Sequence, residues 1–200
     1  MKKSIVMIAM AMALVLCMTA VAGATLVGSV YHFEDADLSV IIPTEYYVLT
    51  REIREGDPAL EFFGIEKDTA VSFLEKNYLY LDASTSDFSE EVTIAIQANA
   101  VDDFRSYSGA VLNNVIKSVE DTFSKSGMEV SKTELYENDK ASFLKIYYFD
   151  PTVNCPVLQY FTIYDYQTIN FRMYSRNGEI SAAQEAILKR IVDTAMFLEY

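Results

Sequence analysis

Two hundred residues carrying a formal charge of −13, with one histidine and no tryptophan, make a mid-sized acidic chain. Nucleic-acid binding starts with phosphate neutralisation by Lys and Arg, so 16 basic residues against 29 acidic ones exclude it and also disfavour anionic lipid headgroups. A single histidine excludes multi-histidine metal sites and most hydrolytic triads.

Lys2 and Lys3 open the chain, and an apolar run from Ile5 carries no charge until Glu34. It closes on the small residues Ala20 to Ala24. A basic start, an apolar stretch and an Ala-x-Ala ending define a secretory signal, residues 1–24, with cleavage expected after Ala24 or, second, after Ala22. An uncleaved anchor is the alternative, since Ile5 to Val27 is long enough to span a bilayer. Lipidation at Cys17 is disfavoured because Leu16, not a small residue, precedes it. Cleavage leaves residues 25–200, enough for one domain with a genuine core and with no expectation of membrane attachment. Cys155 is then the lone cysteine, read as a shielded thiol in a Pro-bounded loop, and no internal disulfide can form.

Two short apolar runs, Val30–Phe33 and Leu38–Ile42, flank the turn-forming Glu34, Asp35, Ala36 and Asp37. Pro43 ends the second, and Tyr46–Thr50 reads as a third strand. Asp57-Pro58 starts a short helix, and Asp68 is the expected N-cap of another over 69–77. Leu79–Ala83 and the alternating Val92, Ile94, Ile96 and Ala98 return to strand. A long amphipathic helix is expected from Phe104 to Lys125, its stripe running through Val111, Val115, Val119 and Phe123 to a C-terminal Gly127. Val115 is expected to pack on Ile94 or Ile96.

Four strands follow as a meander: Met128–Tyr136, Ala141–Phe149, Val157–Tyr166 and Thr168–Ser175. Their short connections force antiparallel pairing. Ser181 with Gln184 forms a capping box for the last helix, whose stripe is Ile187, Leu188, Ile191 and Val192. Met196–Leu198 adds a terminal strand.

This order resembles the PsbP-like superfamily, which takes in the extrinsic PsbP subunits of photosystem II and DcrB-type bacterial envelope proteins. The features that carry the resemblance are YHFEDADLSVIIPTEYYVL, the helix ending at Gly127, the meander through FLKIYYFD and LQYFTIYDYQTINFRMYS, and the final AILKRIVDTAMF. It covers roughly Val30 to Leu198. The segment Arg51–Asn77 is longer than the simplest pattern. The resemblance implies an α+β fold, an antiparallel sheet flanked by helices on both faces, and a non-enzymatic role supporting or binding other proteins. It supplies no catalytic residue and no cofactor.

A Cys155–His32 dyad would make a small exported hydrolase or thiol enzyme, provided the base reaches the thiol. Glu34, Asp35 and Asp37 suit Ca²⁺ by oxygen hardness but lack loop-site spacing, so a solvated turn is expected. Asp102 and Asp103 are placed to complement the long helix's N-terminal dipole. If Ile163 pairs with Ile169, one face of the last hairpin carries Tyr160, Thr162, Tyr164, Asn170, Arg172 and Tyr174. Tyr and Arg anchor interfaces, so this face is a candidate contact for an envelope protein partner; cover by flanking helices is the competing reading. The function expected is an exported, non-catalytic envelope binding or accessory protein.

Overall fold

Alternating residues decide the sheet, and the turns between them decide its register. The computed structural model describes residues 26–101 and 103–197; the expected signal segment with its cleavage point, Asp102 and Leu198 lie outside them. The strands are β1 (Gly28–Phe33), β2 (Leu38–Pro43), β3 (Tyr46–Thr50), β4 (Leu79–Thr85), β5 (Glu90–Ala98), β6 (Glu129–Glu137), β7 (Ser142–Asp150), β8 (Cys155–Tyr164), β9 (Gln167–Ser175) and β10 (Met196–Phe197). The helices are α1 (Pro58–Phe63), α2 (Lys67–Lys76), α3 (Gly109–Lys125) and α4 (Ala182–Thr194). Seven strands form one antiparallel sheet in the order β3-β4-β5-β9-β8-β7-β6, and β1-β2-β10 form a smaller one.

One face of the large sheet presents Ile94, Leu81, Phe143 and Phe171, all fully buried. Leu188, Ile191 and Val192 of α4 cover it, together with Leu38, Val40 and Ile42 of the small sheet. Burying each such side chain contributes about 1.5–3 kcal/mol. The capping box holds α4 in place: Ser181 Oγ accepts from Gln184 N at 3.2 Å, and Ser181 N donates to Gln184 Oε1 at 2.8 Å. The expected terminal strand is β10, and it pairs with β2.

The opposite face is covered in two pieces. Leu60 of α1 and Leu74 of α2 pack onto Leu49, Leu79 and Ala95 of the sheet, which is the use made of the long Arg51–Asn77 segment. Helix α3 closes over Leu144, Ile146, Val157 and Ile163. Between these patches, Asp82, Thr93, Arg172 and Gln159 form one cross-strand row of polar residues.

The structure corrects six expectations. Val115 packs over the β7–β8 end of the sheet, not on Ile94 or Ile96, which face the other side. Helix α3 starts at Gly109 (φ +53°), and Phe104–Ser106 is a separate 3-10 turn capped by Asp103, whose Oδ1 accepts from Arg105 N at 2.6 Å. Asp103 therefore serves that turn and not the long helix. Asp68 lies inside the first turn of α2, and the N-cap is Glu66. Cys155 opens β8 with 3 % exposure instead of sitting in a loop. The β8–β9 hairpin closes on two residues, Asp165 and Tyr166, both at positive φ, so Tyr164 faces Gln167 and Thr162 faces Ile169. Pairing Ile163 with Ile169 would require a three-residue corner. An even turn slips the register by one, and a one-residue slip moves side chains to the other face.

Candidate functional site

The corrected register places the most developed site beneath α3. Ser118, Val119, Thr122 and Phe123 of that helix stand over Tyr148 of β7, Gln159 and Phe161 of β8, and Asn170 and Arg172 of β9. They enclose a cleft of about 340 Å³, at the lower end of the range for small-molecule sites. Its apolar wall is aromatic: the Phe123 and Tyr148 rings meet edge to face, centroids 4.8 Å apart.

The floor is a hydrogen-bonded chain. Arg172 Nε donates to Gln159 Oε1 at 3.0 Å, and Tyr148 OH donates to the same oxygen at 3.2 Å. Gln159 Nε2 donates to Asn170 Oδ1 at 2.8 Å. Gln159, Asn170 and Tyr148 are buried, and Arg172 is half-buried. A buried amide that uses both ends holds its neighbours in one geometry. Burial pushes the Tyr148 and Tyr174 phenols up, against the pull of the Arg172 charge, so both remain neutral hydroxyls at neutral pH. Asp150 lies at the other end of the cleft, its Oδ1 accepting from Thr152 N at 2.9 Å.

A second concavity of about 560 Å³ lies beside β1, lined by His32, Glu34, Asp35, Arg51 and Tyr80. Three of its polar groups already have partners. Tyr80 OH donates to Asp35 Oδ2 at 2.9 Å, and the Arg51 guanidinium sits 3.8 Å above the Tyr80 ring while its Nε donates to Leu79 O at 2.6 Å.

No protein-family model matches the chain, and no curated protein matches it. A solved structure does: the solution structure of cyanobacterial PsbP (CyanoP) from Synechocystis sp. PCC 6803. The match has a TM-score of 0.51 over 88 % of this chain and 96 % of that one, at 10 % identity. The fold is PsbP-like. The antiparallel sheet with helices on both faces is the architecture the resemblance implied.

Within the PsbP-like sheet the candidate contact residues separate. Tyr160, Thr162 and Tyr164 face the α4 side: Tyr160 is fully buried, and the Tyr164 ring stacks on Phe197 at 4.4 Å. Asn170, Arg172 and Tyr174 face the α3 side and line the cleft. Six residues expected on one surface thus lie on two faces of the sheet. His32 and Cys155 are not brought together. His32 is exposed on β1, its Nδ1 2.8 Å from Ser39 Oγ, while Cys155 packs in the cluster beneath α3, across the large sheet. Burial raises the Cys155 thiol, only partly countered by Arg176. Asp37 ends the first turn at φ +47°, and among the described residues no group of three His, Cys, Asp or Glu is placed to hold a metal ion.

Gln159 is the cleft residue that sequence reading missed. The signal was there: it is the one amide inside the apolar run Val157-Leu158-Gln159-Tyr160-Phe161. An isolated amide in a buried strand needs partners, and Arg172, Tyr148 and Asn170 are those partners.

Proposed function

We propose that this chain is an exported, non-catalytic binding or accessory protein of the cell envelope, and that its ligand occupies the cleft beneath α3. The observation that carries the reading is the Arg172–Gln159–Asn170 chain under an aromatic wall. A few fixed polar groups in an apolar concavity are what orient a bound small molecule. Export rests on the N-terminal signal pattern, with which a PsbP-like fold is compatible. Among the described residues no helix is long and apolar enough to cross a membrane.

Native mass spectrometry of protein taken from the secreted or envelope fraction tests both parts. The expected chain begins at Thr25 and carries a bound small molecule that Ser118→Trp, filling the cleft from an exposed helix position, removes. Intact chain held in the membrane shows an uncleaved anchor in place of a cleaved signal. Equal occupancy in the two proteins, or none in either, overturns the cleft as the binding site.

A further inference from the structure

Arg172 differs from the other cations of the sheet. Lys132 and Lys145 pair with Glu134, Lys145 also with Glu185, and Arg176 with Glu91. Among the described residues no carboxylate stands within ion-pair distance of Arg172, although it is half-buried and its Nε is fixed on Gln159. Its nearby phenols stay neutral, so they supply hydrogen bonds and no countercharge. Keeping a cation partly out of water without a counter-ion is unfavourable, and an arriving carboxylate reverses that.

We infer that the cleft takes a small amphiphilic monocarboxylate, its head on Arg172 and its tail along Val119, Phe123 and Phe161. This rests on the cleft being the binding site. The guanidinium presents its donors as a planar fork that matches a carboxylate. A single negative charge is favoured over two, because Arg172 supplies one positive charge and Asp150 lines the same cleft. Asp150 lies four residues along β7 from the position level with Gln159 and Arg172. At about 3.3 Å per residue that separates the two backbone levels by roughly 13 Å along the strand. Size sets the tail. At about 30 Å³ per water the cleft holds the equivalent of on the order of ten waters. By volume, a straight chain of about eight carbons is small enough for a cleft of about 340 Å³.

Octanoate, octanol and octylammonium, titrated into the cleaved protein and followed by calorimetry and by the Arg172 Nε–H resonance, test the inference. Octanoate is expected to bind and shift that resonance in the unaltered protein. Arg172→Gln is expected to weaken octanoate by about tenfold or more while leaving octanol within about twofold, as loss of a charge-assisted pair requires. Octylammonium is expected to be the weakest of the three. Octanoate and octanol binding equally, both sensitive to Ser118→Trp, would overturn the head-group assignment and leave the binding cleft standing. Failure of all three to bind overturns the inference and removes support for the cleft itself. The resonance is read in the unaltered protein, so the outcome does not depend on whether the Arg172 variant folds.

Discussion

Asp82 faces Thr93 across the β4–β5 ladder, and its buried Oδ1 has no hydrogen-bond partner among the described residues. Burial first, and Glu91 second, push the Asp82 carboxyl up to about 7, while Arg176 opposes them. The folded state therefore holds a proton that the unfolded chain, with an ordinary carboxyl near 4, releases. Because this carboxyl is raised on folding, stability falls as pH rises from about 4 through about 7 and levels off above. The full effect is on the order of 3–4 kcal/mol. Urea midpoints at pH 5 and pH 8 should show the protein more stable at pH 5, and Asp82→Asn should flatten the difference. A midpoint that rises over that interval would show the carboxylate to be satisfied when charged.

Cys155 is enclosed by Tyr148, Val157 and the rest of the cluster under α3, with 3 % exposure. Cys155→Ser exchanges a weakly polar thiol for a hydroxyl in an apolar setting and should cost about 1–2 kcal/mol. An exposed loop site would have cost almost nothing. The same burial raises the thiol's pKa and hides it, so reaction with an aromatic disulfide reagent should be slow in the folded state and fast in urea. Rapid native labelling would place the sulfur at the surface.

Val115 and Lys117 compare the two sides of α3. Val115 is half-buried on the cluster beneath the helix, and Lys117 is exposed. Val115→Asp should cost about 2 kcal/mol, less than a fully buried charge because no residue of α3 is fully covered. Lys117→Asp should stay within about 0.5 kcal/mol. Equal shifts in a denaturant midpoint would mean that α3 does not seat on the sheet through this stripe, and the cleft beneath it would lose its roof.

Where local chemistry decides structure, the residues announced it. Ser181 and Gln184 satisfy each other's backbone, Asp57 caps α1 through Ala59 N at 2.9 Å, and Val92, Ile94 and Ile96 can bury one face only as a strand. The site was hidden because it hangs on a single turn. Asp165 and Tyr166 take left-handed backbone angles without a glycine to mark them, so nothing in their identity distinguishes a two-residue turn from a three-residue one. That parity alone decides whether Arg172 and Tyr160 share a face. Asp82 and Thr93 were equally illegible, since two polar residues in strands give no sign that both will face a polar band between helices.

Tyr160 and Tyr136 give the sharpest test of how the α4 side is packed. Their rings meet edge to face at 5.4 Å, and Phe143 lies within 6.2 Å of each. The two hydroxyls differ. Tyr136 OH donates to Asp193 Oδ1 of α4, whereas Tyr160 OH is buried with no hydrogen-bond partner among the described residues. A hydroxyl taken from water without a partner opposes folding, and its removal leaves the ring packing intact. Tyr160→Phe should therefore be neutral or stabilising, by up to about 1 kcal/mol. Tyr136→Phe should destabilise by about 1–2 kcal/mol, because it removes a hydrogen bond to a charged acceptor and leaves Asp193 with Lys189, at 2.6 Å, as its remaining side-chain partner. The double variant should show the two effects adding, since only one of the hydroxyls is bonded. If Tyr160→Phe destabilises as much as Tyr136→Phe, the Tyr160 hydroxyl has a partner and its strand faces a wetter surface. In that event the β8–β9 register is the pairing to re-examine, and with it the placement of Arg172 in the cleft.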